Sequence, residues 1–224
     1  MDVLFFLKKR TKFIRHFYET AEKPFMETIH KIVNEVSPFD EAPYEDCEPP
    51  FMQEWTEATR ALDVLGRCCI SMLSASIKLY FKTWESKLCI TWDQKLKDNV
   101  FKKQGFIKGY QLYFGEVLGL SWDDCPADFD ILEQIVLARI SDQHPDSIAR
   151  LEVKHSLSDR RPFSERFFVS DTERKLFADP EMADVTWMKP TVHVSREMLF
   201  SAIKHVDELG EWLEPKMLAA KNPR

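Results

Sequence analysis

Apolar residues in this chain recur mostly at three- and four-residue steps, the period of one helix face, and only two short pieces alternate as strands do. Leu4, Phe13, Ile14 and Phe17 give an inward face to a helix predicted over about 2–20. A second, near 24–36, carries Pro24 in its first turn, where a missing N–H costs nothing, and turns Ile29, Val33 and Val36 inward. Residues 37–50 (SPFDEAPYEDCEPP) are acidic and proline-rich and read as a loop.

The longest predicted element begins near Phe51. Arg60, Asp63, Arg67, Ser71, Ser74, Lys78, Lys82 and Glu85 follow one narrow polar stripe, while nearly everything else from Trp55 to Trp84 is apolar or small. A helix wet along one thin stripe must be contacted on its other sides, which makes it the expected centre of a bundle.

Thr91-Trp-Asp-Gln94 reads as a capping box opening a helix to about Lys103, followed by a helix over about 106–118 and a loop from Gly119 to Cys125. Pro126 is expected to open a helix running to about Asp142. Residues 145–194 are richer in charge and proline, with alternating pieces at Phe167–Val169 and Thr191–Val194 that suggest at most short strands. Ser195 caps a last helix whose stripe is Leu199, Ala202, Ile203, Val206, Leu209 and Leu213. The predicted fold class is all-α: an antiparallel helical bundle with a long central helix and an irregular insertion before the last helix. Residues 1–50 form an N-terminal helical extension and acidic loop, and 51–224 the bundle domain, with the insertion at about 145–190.

Composition agrees with this picture. Of 224 residues, 44% are hydrophobic and 30% charged, and only six are glycine against 17 phenylalanines and six tryptophans, a balance that favours packed helices. The apolar run Val3 to Leu7 is too short for a signal-peptide core, and Ala61 to Phe81 contains Asp63, Arg67 and Lys78, so neither a leader nor a membrane span is expected. The expected location is cytoplasmic. Cys47, Cys68, Cys69, Cys89 and Cys125 form no Cys-x-x-Cys, which points away from a zinc or disulfide framework. A net charge of −6 argues against broad coating of nucleic acid but leaves room for a local basic site. The chain has no glycine-rich phosphate loop and no serine nucleophile elbow.

One pair of residues carries candidate chemistry. On the helix that contains Ile131 to Asp142, Asp130, Glu133, Gln134 and Ser141 fall on one side, the expected wet side, and Arg139 falls nearly opposite among Leu132, Ile135 and Val136. An arginine there requires an anionic or acceptor partner. His144 follows, and Pro145 disfavours helical geometry at it, so the histidine is expected where the helix ends. A histidine titrating near neutral pH and a forked cation suit metal-free RNA cleavage, in which the 2′-OH is the internal nucleophile.

Arg139-Ile-Ser-Asp-Gln-His144, at the end of an apolar helix in a helical bundle, resembles the Arg-x4–6-His motif of the HEPN superfamily. The same loose spacing at Arg10…His16 and Arg150…His155 lacks that context. The resemblance covers residues 51–144 and 191–215. It implies a bundle that dimerises, with Arg139 and His144 of two subunits lining a shared cleft. It also implies a metal-independent endoribonuclease of the toxin or antiviral type, or a non-catalytic binding module. The implied partners are a second copy, an RNA substrate and an inhibitory protein, with no cofactor, metal or membrane. Ile140 departs from active members, which often carry a polar residue after the arginine.

A plainer reading stands beside this one: Arg139 pairs with a buried carboxylate and His144 merely ends the helix. Asp123 and Asp124 beside Asp128 and Asp130 read as cap and loop acids rather than a cation site, and Cys125 has no neighbouring base. His193 and His205 fit surface or core roles better than catalysis.

Overall fold

The computed structural model describes residues 2–40, 50–92, 94–143, 167–177 and 191–221. They form α1 (Val3–Ala21), α2 (Lys23–Val33), α3 (Met52–Lys87), α4 (Gln94–Gln104), α5 (Phe106–Leu118), α6 (Phe129–Gln143), α7 (Asp171–Phe177) and α8 (Arg196–Lys221). The protein is all-α, and its centre is the 36-residue α3, against which α1, α2, α6 and α8 pack. At 1.5 Å per residue α3 is about 54 Å long. By length and composition α3 could cross a membrane, yet 56% of its most apolar window is buried inside the fold.

Side-chain bonds set the direction of the helices. Along α1 and α8 the partners run in opposite order: Leu4 with Glu214, Lys8 with Glu211, Thr11 with Asp207 and Glu22 with Arg196. Along α3 and α8 they run in the same order, from Gly66 against Val194 to Tyr80 and Trp84 on Glu214. Hence α1 is antiparallel to both, and α3 and α8 are parallel. Parallel neighbours cannot be joined by a tight turn, so the chain between them must travel back along the bundle.

Val3, Leu7, Ile14 and Tyr18 bring α1 into the same core as Leu73, Ile77 and Phe81 of α3 and Leu199 to Met217 of α8. Phe13 and Phe17, expected inward, are instead 59% and 39% exposed. Phe13 is rotated about 100° from the buried Ile14, and the burying stripe is narrower than the apolar one. Val33 and Val36 are likewise exposed, because α2 lies on the surface with no fully buried residue. Ser74 sits on the expected polar stripe but is completely buried, so the wet face of α3 is interrupted there.

Glu214 is buried near the end of α8 and accepts hydrogen bonds from the Leu4 amide, the Tyr80 hydroxyl and the Trp84 indole. Its charge thus answers the unpaired N–H groups and positive end of α1. The Tyr80 hydroxyl is pushed up strongly, by burial first and then by Glu214.

The two alternating pieces form no strand among the described residues. They meet through one backbone bond, from the His193 amide to the Phe168 carbonyl at 3.1 Å. Phe168, Val169, Val192 and Val194 turn their side chains into the core, so burial rather than a ladder holds these pieces. Ser195 caps α8 as expected, its hydroxyl accepting from the Met198 amide at 3.2 Å, and α8 continues through Pro215 to Lys221.

Candidate functional site

The start of α6 is set by Asp128, whose carboxylate accepts from the amides of Asp130 and Ile131 at 2.9 and 3.1 Å. The helix therefore opens at Phe129, three residues after Pro126. From Leu132 to Ala138 every residue is buried, so α6 is enclosed on all sides through two turns. This overturns the expected wet side: Asp130 is exposed, but Glu133 and Gln134 are buried. The reason lies in what they bind. Gln134 Oε1 accepts from the Phe167 amide at 2.9 Å. Glu133 accepts from the amides of Phe106 and Ile107 at 2.9 and 2.6 Å.

Glu133 thereby caps α5 from a neighbouring helix. The N-cap residue of α5 is Gly105, which has no side chain to do so, and its φ of 93° suits glycine. A Cβ there would lie 2.8 Å from the Glu133 carboxyl carbon, so the glycine makes room for the remote cap. Burial raises the Glu133 carboxyl above the usual glutamate range, opposed by the α5 amides and the charge of Lys78.

Arg139 lies six residues further along α6 and is half-buried. Among the described residues no carboxylate forms a salt bridge with it. The charged group that feels it is Lys78 of α3, whose ammonium is shifted down by burial first, then by Arg139, with Lys82 adding to the effect and Glu133 opposing it. Lys78 Nζ also rests 5.5 Å from the Phe106 ring centre. Two cations, Lys78 and Arg139, thus lie within electrostatic reach of each other, and the amide-bound Glu133 lies within reach of Lys78. Such a pair favours an incoming anion.

α6 extends to Gln143, and His144 lies outside the described residues, as do Arg150 and His155. The structure therefore places Arg139 but not the histidine expected to act with it. Lys78 was legible only as a member of the α3 polar stripe. Its electrostatic coupling to Arg139 comes from tertiary packing, which no spacing within α3 could reveal.

The other candidates have local explanations. Arg10 Nε donates to Ser76 Oγ at 3.1 Å, and His16 is exposed. His193 Nδ1 lies 3.2 Å from Asp63 Oδ1, and Asp63 also pairs with Arg67. Burial would raise the Asp63 carboxyl, but His193 and Arg67 together hold it below the usual aspartate value. His205 Nδ1 accepts from the Asp128 amide at 3.3 Å. Burial pushes the Cys125 thiol up, away from nucleophilic use, and that of Cys69 to about 12. Asp123 takes Ser121 and Asp124 takes Lys216. Among the described residues no three His, Cys, Asp or Glu side chains are placed to hold a metal ion.

Comparison with protein-family models, with curated proteins and with solved structures finds no match to this chain.

Proposed function

We propose that this protein is a HEPN-like, metal-independent endoribonuclease in which Arg139 holds the scissile phosphate and His144 moves the proton. Lys78 adds its charge to the same phosphate site. The observation that supports this reading is the state of Arg139: half-buried, within electrostatic reach of Lys78, and without a carboxylate salt bridge among the described residues. An arginine at this depth with no carboxylate salt bridge among the described residues calls for an external anion.

In the proposed reaction the RNA 2′-oxygen attacks the adjacent phosphorus while His144 accepts its proton. The bond from phosphorus to the 5′-oxygen breaks, that oxygen takes up a proton from solvent to become a 5′-hydroxyl, and the upstream strand ends in a 2′,3′-cyclic phosphate. Arg139 and Lys78 stabilise the charge that gathers on the non-bridging oxygens. The nucleophile belongs to the substrate, so the protein supplies only proton transfer and fixed positive charge. A second copy completing the cleft and a protein that restrains the activity belong to the same proposal.

Ile140 favours a second reading, a non-catalytic helical module that uses the Arg139 surface to bind an anionic partner, since an apolar residue follows the arginine. Incubation of the purified protein with single-stranded and structured RNA in EDTA separates the two. The nuclease reading predicts fragments ending in cyclic or 3′ phosphate, absent with His144→Ala. Intact RNA from a folded wild-type protein, or equal cutting by the variant, overturns it.

A further inference from the structure

We propose that the open trough between α1 and α3 is the docking site for an acidic, amphipathic helical segment of a partner protein. The trough encloses about 700 Å³ and is walled by Phe6 and Phe13 of α1 and by Met72, Ala75 and Leu79 of α3. Phe6, Phe13 and Leu79 are 50%, 59% and 49% exposed. Large apolar side chains gathered in one exposed concavity mark a surface that is covered in use.

Shape argues for a helix. The trough follows α3 from Met72 to Thr83, about three helical turns, between two antiparallel helices. A third helix laid along it would set apolar residues at helical spacing between the two walls. A bilayer surface is flat and cannot fill a groove of this depth.

Charge narrows the occupant. Lys9 and Arg10 line the α1 wall. Lys9 rests over the Phe5 ring, and Arg10 is engaged by the neutral Ser76. Among the described residues neither of these two cations has a carboxylate partner, although the whole chain carries a net charge of −6. Lys8, off the trough, is by contrast paired with Glu211. A second copy docking through the same face would set these cations against one another. An acidic helix neutralises them, which gives the groove both its apolar and its charge complement.

This surface is separate from the Arg139 site. Lys78 and Leu79 are consecutive and so about 100° apart around α3, and the inference stands whether or not the protein cuts RNA.

The test is selection from a displayed library of randomised peptides of about 15 residues, long enough to form helix on binding. Peptides are captured on the full chain and depleted on Leu79→Asp, with Phe13→Ala as a second variant and circular dichroism as the check on folding. Both sites are about half exposed, so folding should be retained. The expected survivors are rich in Asp and Glu, carry apolar residues three and four apart, and bind either variant at least about tenfold more weakly than wild type. Their binding also weakens with salt. Survivors without an acidic bias, or binding to both variants as tight as to wild type, would overturn the proposal. So would an empty selection, a dimer broken by Leu79→Asp, or phosphatidylserine-vesicle binding lost in that variant.

Discussion

The carboxylate of Glu133 accepts a hydrogen bond from the Ile107 amide at 2.6 Å, and this contact across two helices ties α6 to the start of α5. Glu133 and Arg139 share α6, but the acid answers the positive end of α5. Arg139 instead acts on Lys78, helping to lower its ammonium. One buried glutamate thus ties α5 to α6, while Arg139, six residues further along α6, has no carboxylate salt bridge among the described residues.

Replacing Glu133 tests its structural half. Glu133→Ala strands two amides and opens a small void, and should lower unfolding free energy by about 2–3 kcal/mol in urea titrations. Glu133→Gln keeps an acceptor and should recover part of this. Because burial raises the folded carboxyl, the native state holds this proton more tightly than the unfolded chain does. The resulting contribution is full below the unfolded pKa and is lost as pH rises through the folded one. Urea midpoints from about pH 4 upward should therefore fall less steeply for Glu133→Gln; an unchanged slope would contradict the assignment.

Two glycines separate backbone strain from steric conflict. Gly105 and Gly119 both have positive φ, 93° and 64°, but a Cβ at Gly119 meets nothing within 4 Å. Gly119→Ala should cost about 1 kcal/mol. Gly105→Ala must also displace Glu133 from the α5 amides, so its cost should exceed about 2 kcal/mol. Equal midpoints for the two variants would show that Glu133 yields freely.

The Asp63–His193 contact predicts the acid limb of stability. The folded Asp63 carboxyl is held below its ordinary value, so its contribution is present at neutral pH and is lost as pH falls through the folded value. Asp63→Asn should flatten thermal stability against pH below about 4. If the variant retains the wild-type slope there, another group controls that limb.

Much of the fold was legible because its cause is periodic. The stripe on α8 from Leu199 to Leu213 and the enclosing pattern on α3 each report burial directly, and both helices stand where the pattern put them. Phe13, Phe17 and Glu133 misled for one reason: a helical wheel says which residues share a face, but not how wide a face the neighbours cover. Glu133 looked wet because it is charged, and its partners are backbone amides 26 and 27 residues away in sequence. At the candidate site, Arg139 was legible as an arginine on an apolar helix, whereas Lys78 became visible only once α3 and α6 were packed. His144 lies outside the described residues, so its placement beside Arg139 rests on the proposal.

The central claim is that Arg139 is kept for an external anion, and the most direct test reads stability and RNA turnover together in Arg139→Ala. The account predicts unfolding free energy within about 1 kcal/mol of wild type, since no described carboxylate loses a partner. It also predicts that cleavage in EDTA falls by about a hundredfold or more. Loss of about 3–5 kcal/mol, the signature of a broken buried ion pair, with cleavage unchanged would contradict it.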